Sequence, residues 1–357
     1  MKYEELMKKC IELAKCGEGC VSPNPLVGCI VLNNENEIIS VGIHEKYGEN
    51  HAERNALLKL DKDSSKGATL IVNLEPCSHF GKTPPCADLI IEKGISKVVI
   101  GMRDVNPVVS GNGIRKLKEA GIEVIEGVLE DECRKLNEIF IKNMTKKQTF
   151  VAIKTATTLD GKISTQSGSS KWITSEKARE EVINIRRKYD AILTSSSTVS
   201  ADNPNMKHKK KIIIDRELKT DFSNANIYKN GTIYVSYNEN ISSERLESVL
   251  RLIKHNNNIN LLPTKVIDDK IDLRDLLEKI YKLGIMSVLV EAGGHLNGSF
   301  LEHADKIYQF IAPKILGDNN GMSCFDFRTA NLIQEADNFK FEEIINYPPD
   351  ILVTYTK

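Results

Sequence analysis

The sequence predicts two α/β domains in tandem, on three observations. Helix-period and strand-period segments alternate along most of the 357-residue chain. A polar run, Lys142-Asn143-Met144-Thr145-Lys146-Lys147-Gln148, interrupts the alternation, and a fresh series begins after it. The length suits two ordinary domains, and neither half repeats the other. The expected division is therefore 1–145 and 146–357.

In the first domain the pattern predicts helices over Tyr3–Cys16, His51–Leu60, Pro85–Lys93, Ile114–Ala120 and Glu130–Lys142. Strand-like runs are predicted at Val27–Leu32, Ile38–Gly42, Thr69–Leu74, Lys97–Gly101 and Glu123–Glu126. The second domain predicts strands at Phe150–Thr155, Ala191–Ser195, Lys211–Asp215, Thr232–Ser236 and Ser287–Glu291. Its predicted helices are Glu176–Lys188, Ser243–Lys254 and Leu273–Leu283.

Composition narrows the function classes. Lysine plus arginine and aspartate plus glutamate both total 49, so the formal charge is zero, which argues against a dedicated nucleic-acid coat. The basic run Lys207–Lys211 reads as a solvated loop before a strand. No apolar stretch of about 18 residues predicts a membrane span. The start of the chain lacks a signal-peptide core, so cytoplasmic residence is expected. In such a setting the eight cysteines are not expected to form disulfides. Cys10 and Cys29 lie in apolar runs and read as small core residues.

Three pieces stand apart: His51-Ala52-Glu53, Glu75-Pro76-Cys77 and Thr83-Pro84-Pro85-Cys86. One imidazole and two thiolates suit tetrahedral zinc with the fourth position left for water. Zinc makes hydroxide available near neutral pH. Glu53 is then placed to take the water's proton and pass it to a departing nitrogen. His51 and Glu53 converge only if a helix N-terminus points at the metal, and Cys86 also opens a helix pattern, where thiol pKa falls. Histidine-x-glutamate with proline-cysteine is the arrangement of zinc nucleobase deaminases, although their second cysteine usually follows the first by three residues. Here nine positions separate Cys77 from Cys86. Two other readings stay open on these residues alone: a nucleoside or nucleic-acid deaminase with an accessory domain, and a structural zinc protein.

Pro23-Asn24-Pro25-Leu26-Val27-Gly28, His51-Ala52-Glu53 and the stretch Glu75 to Cys86 together resemble the bifunctional riboflavin-biosynthesis deaminase–reductase family. The long insert between the two cysteines is typical of that family. The resemblance implies a cytidine-deaminase-like three-layer domain acting on a phosphorylated 2-aminopyrimidinone, with Asn24, His44 and Lys82 holding the substrate. Asp104-Val105-Asn106-Pro107 differs from a family loop at Val105 and is assigned no role.

The second half carries Lys154 to Lys162, Ser170 to Thr174, Asp190 to Val199 and Val290 to Ser299. The last reads as strand, glycine pair and helix start, which exposes backbone N–H groups, but it is not a G-x-G-x-x-G fingerprint. Taken together these segments resemble the family's reductase half, related in fold to dihydrofolate reductase. That implies NADPH as hydride donor, contacted by Ala156, Trp172, Thr198, Asp202 and the turn Gly293, Gly294, His295, Leu296, Asn297, Gly298 and Ser299. It implies substrate contacts from Ser170, Arg186, Met206 and Glu291. In Asp202-Asn203-Pro204-Asn205-Met206-Lys207-His208-Lys209, a lysine replaces the family's phosphate-gripping arginine, so Lys209 or a neighbouring lysine takes that role. Arg216 stands where an NADPH 2′-phosphate is a conceivable partner. The resemblance further implies a homo-oligomer, dimer or tetramer, with no nucleic-acid or membrane partner.

Overall fold

The structure, a computed structural model, describes residues 3–80, 84–106, 110–326 and 330–357. The chain divides into two compact units, Met1–Lys147 and Gln148–Lys357.

The first unit runs α1 (Tyr3–Lys15), β1 (Gly28–Leu32), β2 (Ile38–Ile43), α2 (Ala52–Leu57), α3 (Lys62–Ser65), β3 (Thr69–Leu74), α4 (Cys86–Glu92), β4 (Lys97–Met102), α5 (Asn112–Glu119), β5 (Glu123–Ile125), α6 (Glu130–Leu136) and α7 (Glu138–Lys146). Its sheet has the order β2-β1-β3-β4-β5, with β1 antiparallel to both neighbours and β3, β4 and β5 parallel. Helix α1 buries Leu6, Met7, Cys10, Ile11 and Ala14, residues recurring at helical spacing. They share one core with β1, β3 and β4.

Two predicted elements differ from the observed ones. The helix expected over Glu130–Lys142 breaks at Asn137 (φ −106°, ψ 22°). Its second part continues to Lys146, through all but the last two residues of the polar run, because Phe140 and Asn143 give it a face to bury. The chain leaves the first unit at Lys147, in the left-handed region at φ 55°, two residues beyond the expected boundary.

The second unit runs β6 (Phe150–Thr157), β7 (Lys162–Ser164), α8 (Glu176–Arg187), β8 (Ala191–Ser195), α9 (Ser196–Asp202), β9 (Lys210–Ile214), a 3₁₀ turn (Asn226–Lys229), β10 (Thr232–Asn238), α10 (Ser243–Ile253), β11 (Ile259–Thr264), β12 (Val266–Ile267), β13 (Lys270–Ile271) and α11 (Leu273–Lys282). It continues with β14 (Ser287–Val290), α12 (Gly294–Phe300), β15 (Lys306–Ile311), β16 (Met322–Ser323), a 3₁₀ turn (Ile333–Glu335), β17 (Lys340–Tyr347) and β18 (Asp350–Thr356). Ser175, Ser242 and Asp272 cap α8, α10 and α11 by accepting first-turn N–H groups.

Nine strands form one sheet in the order β11-β10-β9-β8-β14-β6-β15-β18-β17. The strands from β11 to β15 are parallel, and β18 and β17 add an antiparallel edge. Strand β14 returns late in the chain to lie between β8 and β6, which reverses the winding there, the kind of place where open α/β sheets bind ligands beyond the carboxyl ends of their strands. Among the described residues no helix is long and apolar enough to cross a membrane.

Candidate metal centre and reductase site

His51 is the N-cap of α2 and Cys86 is the first residue of α4, so both project from helix N-termini. Cys77 follows β3 by three residues. His51 Nδ1 lies 3.5 Å from Cys77 Sγ and 3.5 Å from Cys86 Sγ. The three ligand atoms fall within 4.8 Å of one another. Tetrahedral zinc, with bonds of about 2.0–2.1 Å to nitrogen and about 2.3 Å to sulfur, requires N···S separations of about 3.5 Å. The donor set and its spacing therefore fit zinc with one coordination position open.

The thiols are already polarised. Cys77 is pulled down to about 4 by hydrogen bonding from the Cys86 thiol first, and by His51 and the Cys86 backbone N–H, which lies 3.3 Å from Cys77 Sγ. Cys86 is pushed up as the proton-holding member of the pair. A bound dication would deprotonate both.

Glu53 lies in the first turn of α2 and is buried, its Oε2 without a hydrogen-bond partner among the described residues. Burial and the charge of Cys77 push its carboxyl up to about 7. It shares a cavity of about 280 Å³ with His51, Cys77, Asn24 and His44. Asn24 Nδ2 lies 3.0 Å from His44 Nε2, and His44 Nδ1 lies 3.0 Å from the Asn50 carbonyl. Burial lowers the His44 pKa, so the neutral ring donates to Asn50 through Nδ1 and accepts from Asn24 at Nε2. Lys82 lies outside the described residues. Cys10 and Cys29 are fully buried in the core, as expected.

Several of the residues expected for reduction follow the carboxyl ends of the parallel strands, whereas Ser170 and Trp172 precede α8, Arg186 lies on α8 and Lys209 immediately precedes β9. Ala156 ends β6, Thr198 and Asp202 lie on α9 after β8, and Glu291 and the glycine turn follow β14. Arg186 grips Glu291 with two bonds, 2.6 Å from Nε and 2.9 Å from Nη2. Burial opposes the charge on Glu291, but Arg186 holds its carboxyl below the usual range. Lys154, half-buried, approaches Glu291 at 3.9 Å. Trp172 is 63% exposed, with the Arg179 guanidinium 4.5 Å above its ring. Lys171 pairs with Asp202 at 3.5 Å. Ser170 is partly buried and Lys209 exposed.

Several of these residues have structural duties. A Cβ on Gly294 would lie 2.0 Å from the Ser323 carbonyl, and one on Gly298 2.0 Å from that of Asp326. Both glycines are thus demanded by close packing of α12 against the segment at β16. Asn297 is buried and donates to the Cys324 carbonyl at 3.1 Å, while His295 faces Asp326 at 3.6 Å. Gly293, Leu296 and Ser299 remain at least partly accessible. Met206, at φ 42°, packs its side chain into the core. Arg216 is engaged by Glu217 and Asp269.

A model of the RibD C-terminal domain matches residues 149–353, and one of the cytidine and deoxycytidylate deaminase zinc-binding region matches residues 1–102. The riboflavin biosynthesis protein RibD of Actinobacillus pleuropneumoniae is 40% identical over 98% of this chain and 94% of its own length. That of Escherichia coli K12 is 35% identical, covering 98% of each. The crystal structure of a diaminohydroxyphosphoribosylaminopyrimidine deaminase/5-amino-6-(5-phosphoribosylamino)uracil reductase from Thermotoga maritima superposes with a TM-score of 0.85, at 40% identity, over 99% of this chain and 98% of that one.

The chain belongs to the RibD family. It is a bifunctional riboflavin-biosynthesis enzyme, with a cytidine-deaminase-like unit followed by a reductase unit.

Sequence reasoning missed three residues that shape these RibD sites. Glu75 accepts four backbone N–H groups, from Asp104 and Gly111 on Oε2 and from Gly113 and Ile114 on Oε1, at 3.0–3.2 Å. It caps α5 and draws the loop after β4 toward Cys77. Asp104, left without a role above, consequently lines the cavity, where burial pushes its carboxyl up to about 6. Lys211, fully buried on β9, donates to the carbonyls of Asn205 and Ile227 at 3.1 and 2.6 Å, and burial pushes it down to about 8. A lysine inside an apolar strand was the available signal, but the basic run masked it.

Proposed function

We propose that this chain deaminates 2,5-diamino-6-(5-phosphoribosylamino)pyrimidin-4(3H)-one. Its second unit then reduces the ribosyl group of the resulting 5-amino-6-(5-phosphoribosylamino)uracil to ribityl. The observation that carries this reading is the His51–Cys77–Cys86 cluster beside a buried Glu53 oxygen without a partner.

In the first unit His51, Cys77 and Cys86 hold zinc, which when bound supplies the Lewis acidity that activates water near neutral pH. Glu53 accepts a proton from that water as the oxygen attacks C2 and delivers it to the leaving amine, so that water enters, ammonia departs and C2 ends as a carbonyl. Its burial supports this role, because a carboxyl pushed toward neutrality can both take and return a proton. Asn24, oriented by His44, offers donor and acceptor groups to the ring edge. Lys82 is assigned to the phosphate.

In the second unit NADPH, when bound, supplies hydride to C1′ of the ring-opened sugar. Trp172, Ala156, Thr198, Asp202 and the accessible part of the Gly293–Ser299 turn are assigned to the dinucleotide, supported for all but Trp172 by their place after the carboxyl ends of β6, β8 and β14. Ser170, Arg186, Glu291, the Met206 backbone and Lys209 are assigned to the substrate. A homo-oligomer in the cytoplasm completes the reading. Edge strand β17 supports the assembly, since it leaves Phe341 and Ile344 exposed.

A coupled assay tests both steps. Ammonia release from the diaminopyrimidinone phosphate without NADPH, followed by one NADPH oxidised per ammonia once NADPH is added, is the expected result. Ammonia release from cytidine alone overturns the substrate assignment. Failure to oxidise NADPH with the deaminated intermediate overturns the reductase assignment.

A further inference from the structure

The loop Pro23-Asn24-Pro25-Leu26-Val27 carries the expected ring-binding asparagine, yet prolines at 23 and 25 remove two of its backbone donors. Backbone bonds tie Asn24 to Val21 and Val27 to His44, but Leu26 between them is held by distant side chains. Leu26 N–H donates to Asn137 Oδ1 at 2.8 Å, and Asn137 Nδ2 donates back to the Leu26 carbonyl at 3.1 Å. Asn73 Nδ2 donates to that same carbonyl at 2.9 Å, while its Oδ1 accepts from Gly28 N–H at 2.8 Å. Asn137 and Asn73 are both buried, at 2% and 0% exposure. The Asn137 amide therefore pairs with Leu26 as a neighbouring strand would, across 111 positions of sequence.

From Leu26 the linkage passes to the cavity in one residue. The Val27 carbonyl accepts the His44 backbone N–H at 3.0 Å, and the His44 ring contacts Asn24. Asn137 also marks the break between α6 and α7, and it stands three and seven positions before Phe140 and Met144. That spacing puts all three on one helix face, and Phe140 and Met144 line the cavity. None of the three falls within residues 1–102, where the zinc-binding-region model matches.

We propose that Asn137 is a positioning residue of the deaminase site. It fixes the Pro23–Val27 loop, and through it Asn24 and His44, while the helix it begins supplies an apolar wall that other zinc deaminases need not share. Substrate fit is thus set partly by the last helix of the unit, outside the metal-binding region. This role rests on the aminopyrimidine reading given above.

The test uses the full-length zinc-loaded chain and its two activities. N137A removes both bonds and leaves the half-buried Leu26 N–H without its partner, so KM for the diaminopyrimidinone phosphate should rise about tenfold while kcat changes less than about threefold. N137D keeps the acceptor for the Leu26 N–H and should recover part of the loss. Zinc content and NADPH oxidation with the deaminated intermediate should stay at wild-type values in both variants. An unchanged KM in N137A, or a parallel loss of zinc and ammonia release, overturns the proposal. If N137A fails to fold, N137D carries the same KM-against-kcat comparison. A wild-type chain that releases no ammonia from this substrate instead overturns the aminopyrimidine reading.

Discussion

The two sites are built on opposite plans. In the first unit, three ligand atoms and a proton carrier come from two helix N-termini and one loop within 36 residues, His51 to Cys86, and they meet around one point. In the second unit the assigned residues span Ala156 to Ser299 and line the ends of several strands. Many of them are occupied with each other or with their own backbone, as Arg186 is with Glu291 and Asn297 with Cys324. A metal site is assembled by short-range spacing. A dinucleotide crevice is assembled by topology, and its members must also hold the fold together. Substitutions should therefore act cleanly on chemistry in the first unit and mix chemistry with stability in the second.

The largest contrast is expected from E53Q. It removes the proton carrier without touching a ligand, so ammonia release should fall by about 10²–10⁴-fold, while zinc content and NADPH oxidation with the deaminated intermediate are retained. Ammonia release near the wild-type rate would show that another group carries the proton. In the second unit R186A should lose reductase activity and stability together. It strands the buried Glu291 charge, which costs about 3–5 kcal/mol when one partner of a buried pair is removed. Chemical denaturation followed by tyrosine and Trp172 fluorescence measures that cost, and unaltered ammonia release in native conditions shows whether it is confined to its unit. A stable but inactive R186A would make the two sites more alike than proposed.

The smallest effect concerns Lys211. Its pKa is about 8 in the fold against 10.5 when unfolded. Between those values the unfolded chain binds the extra proton, so stability should rise with pH across that window, and below about 8 the charged form is carried at a constant penalty. K211M should lose this rise. Stability–pH curves of the two proteins that run parallel from pH 8 to 10.5 would show that Lys211 stays charged.

The His51–Cys77–Cys86 cluster was legible in the sequence because two of its members open helices, α4 beginning at Cys86 itself, and the third follows a strand within the same short stretch. Five of the seven parallel strands in the second sheet were legible as apolar runs, but β11, at the sheet edge, and β15 were not. The antiparallel edge was not: β17 exposes most of its residues, so no buried alternation marks it. Asn137 was hidden inside an apparently continuous helix, and its partner lies 111 positions away. Glu75 looked like part of a cysteine motif, yet its work is to gather four N–H groups from residues 104–114. The glycine turn was legible as a strand–helix junction. That Gly294 and Gly298 face the segment at β16 emerges only when that segment is in place.

The cores of the two units share no residue: one cluster is drawn entirely from positions before 147, the others entirely from positions after it. Two endotherms, rather than one melting temperature for the whole chain, are therefore expected on heating. Zinc is expected to raise the melting of the first unit by mass action, and a dinucleotide that of the second. Calorimetry with each ligand in turn thereby assigns every endotherm to a unit without any assay of turnover.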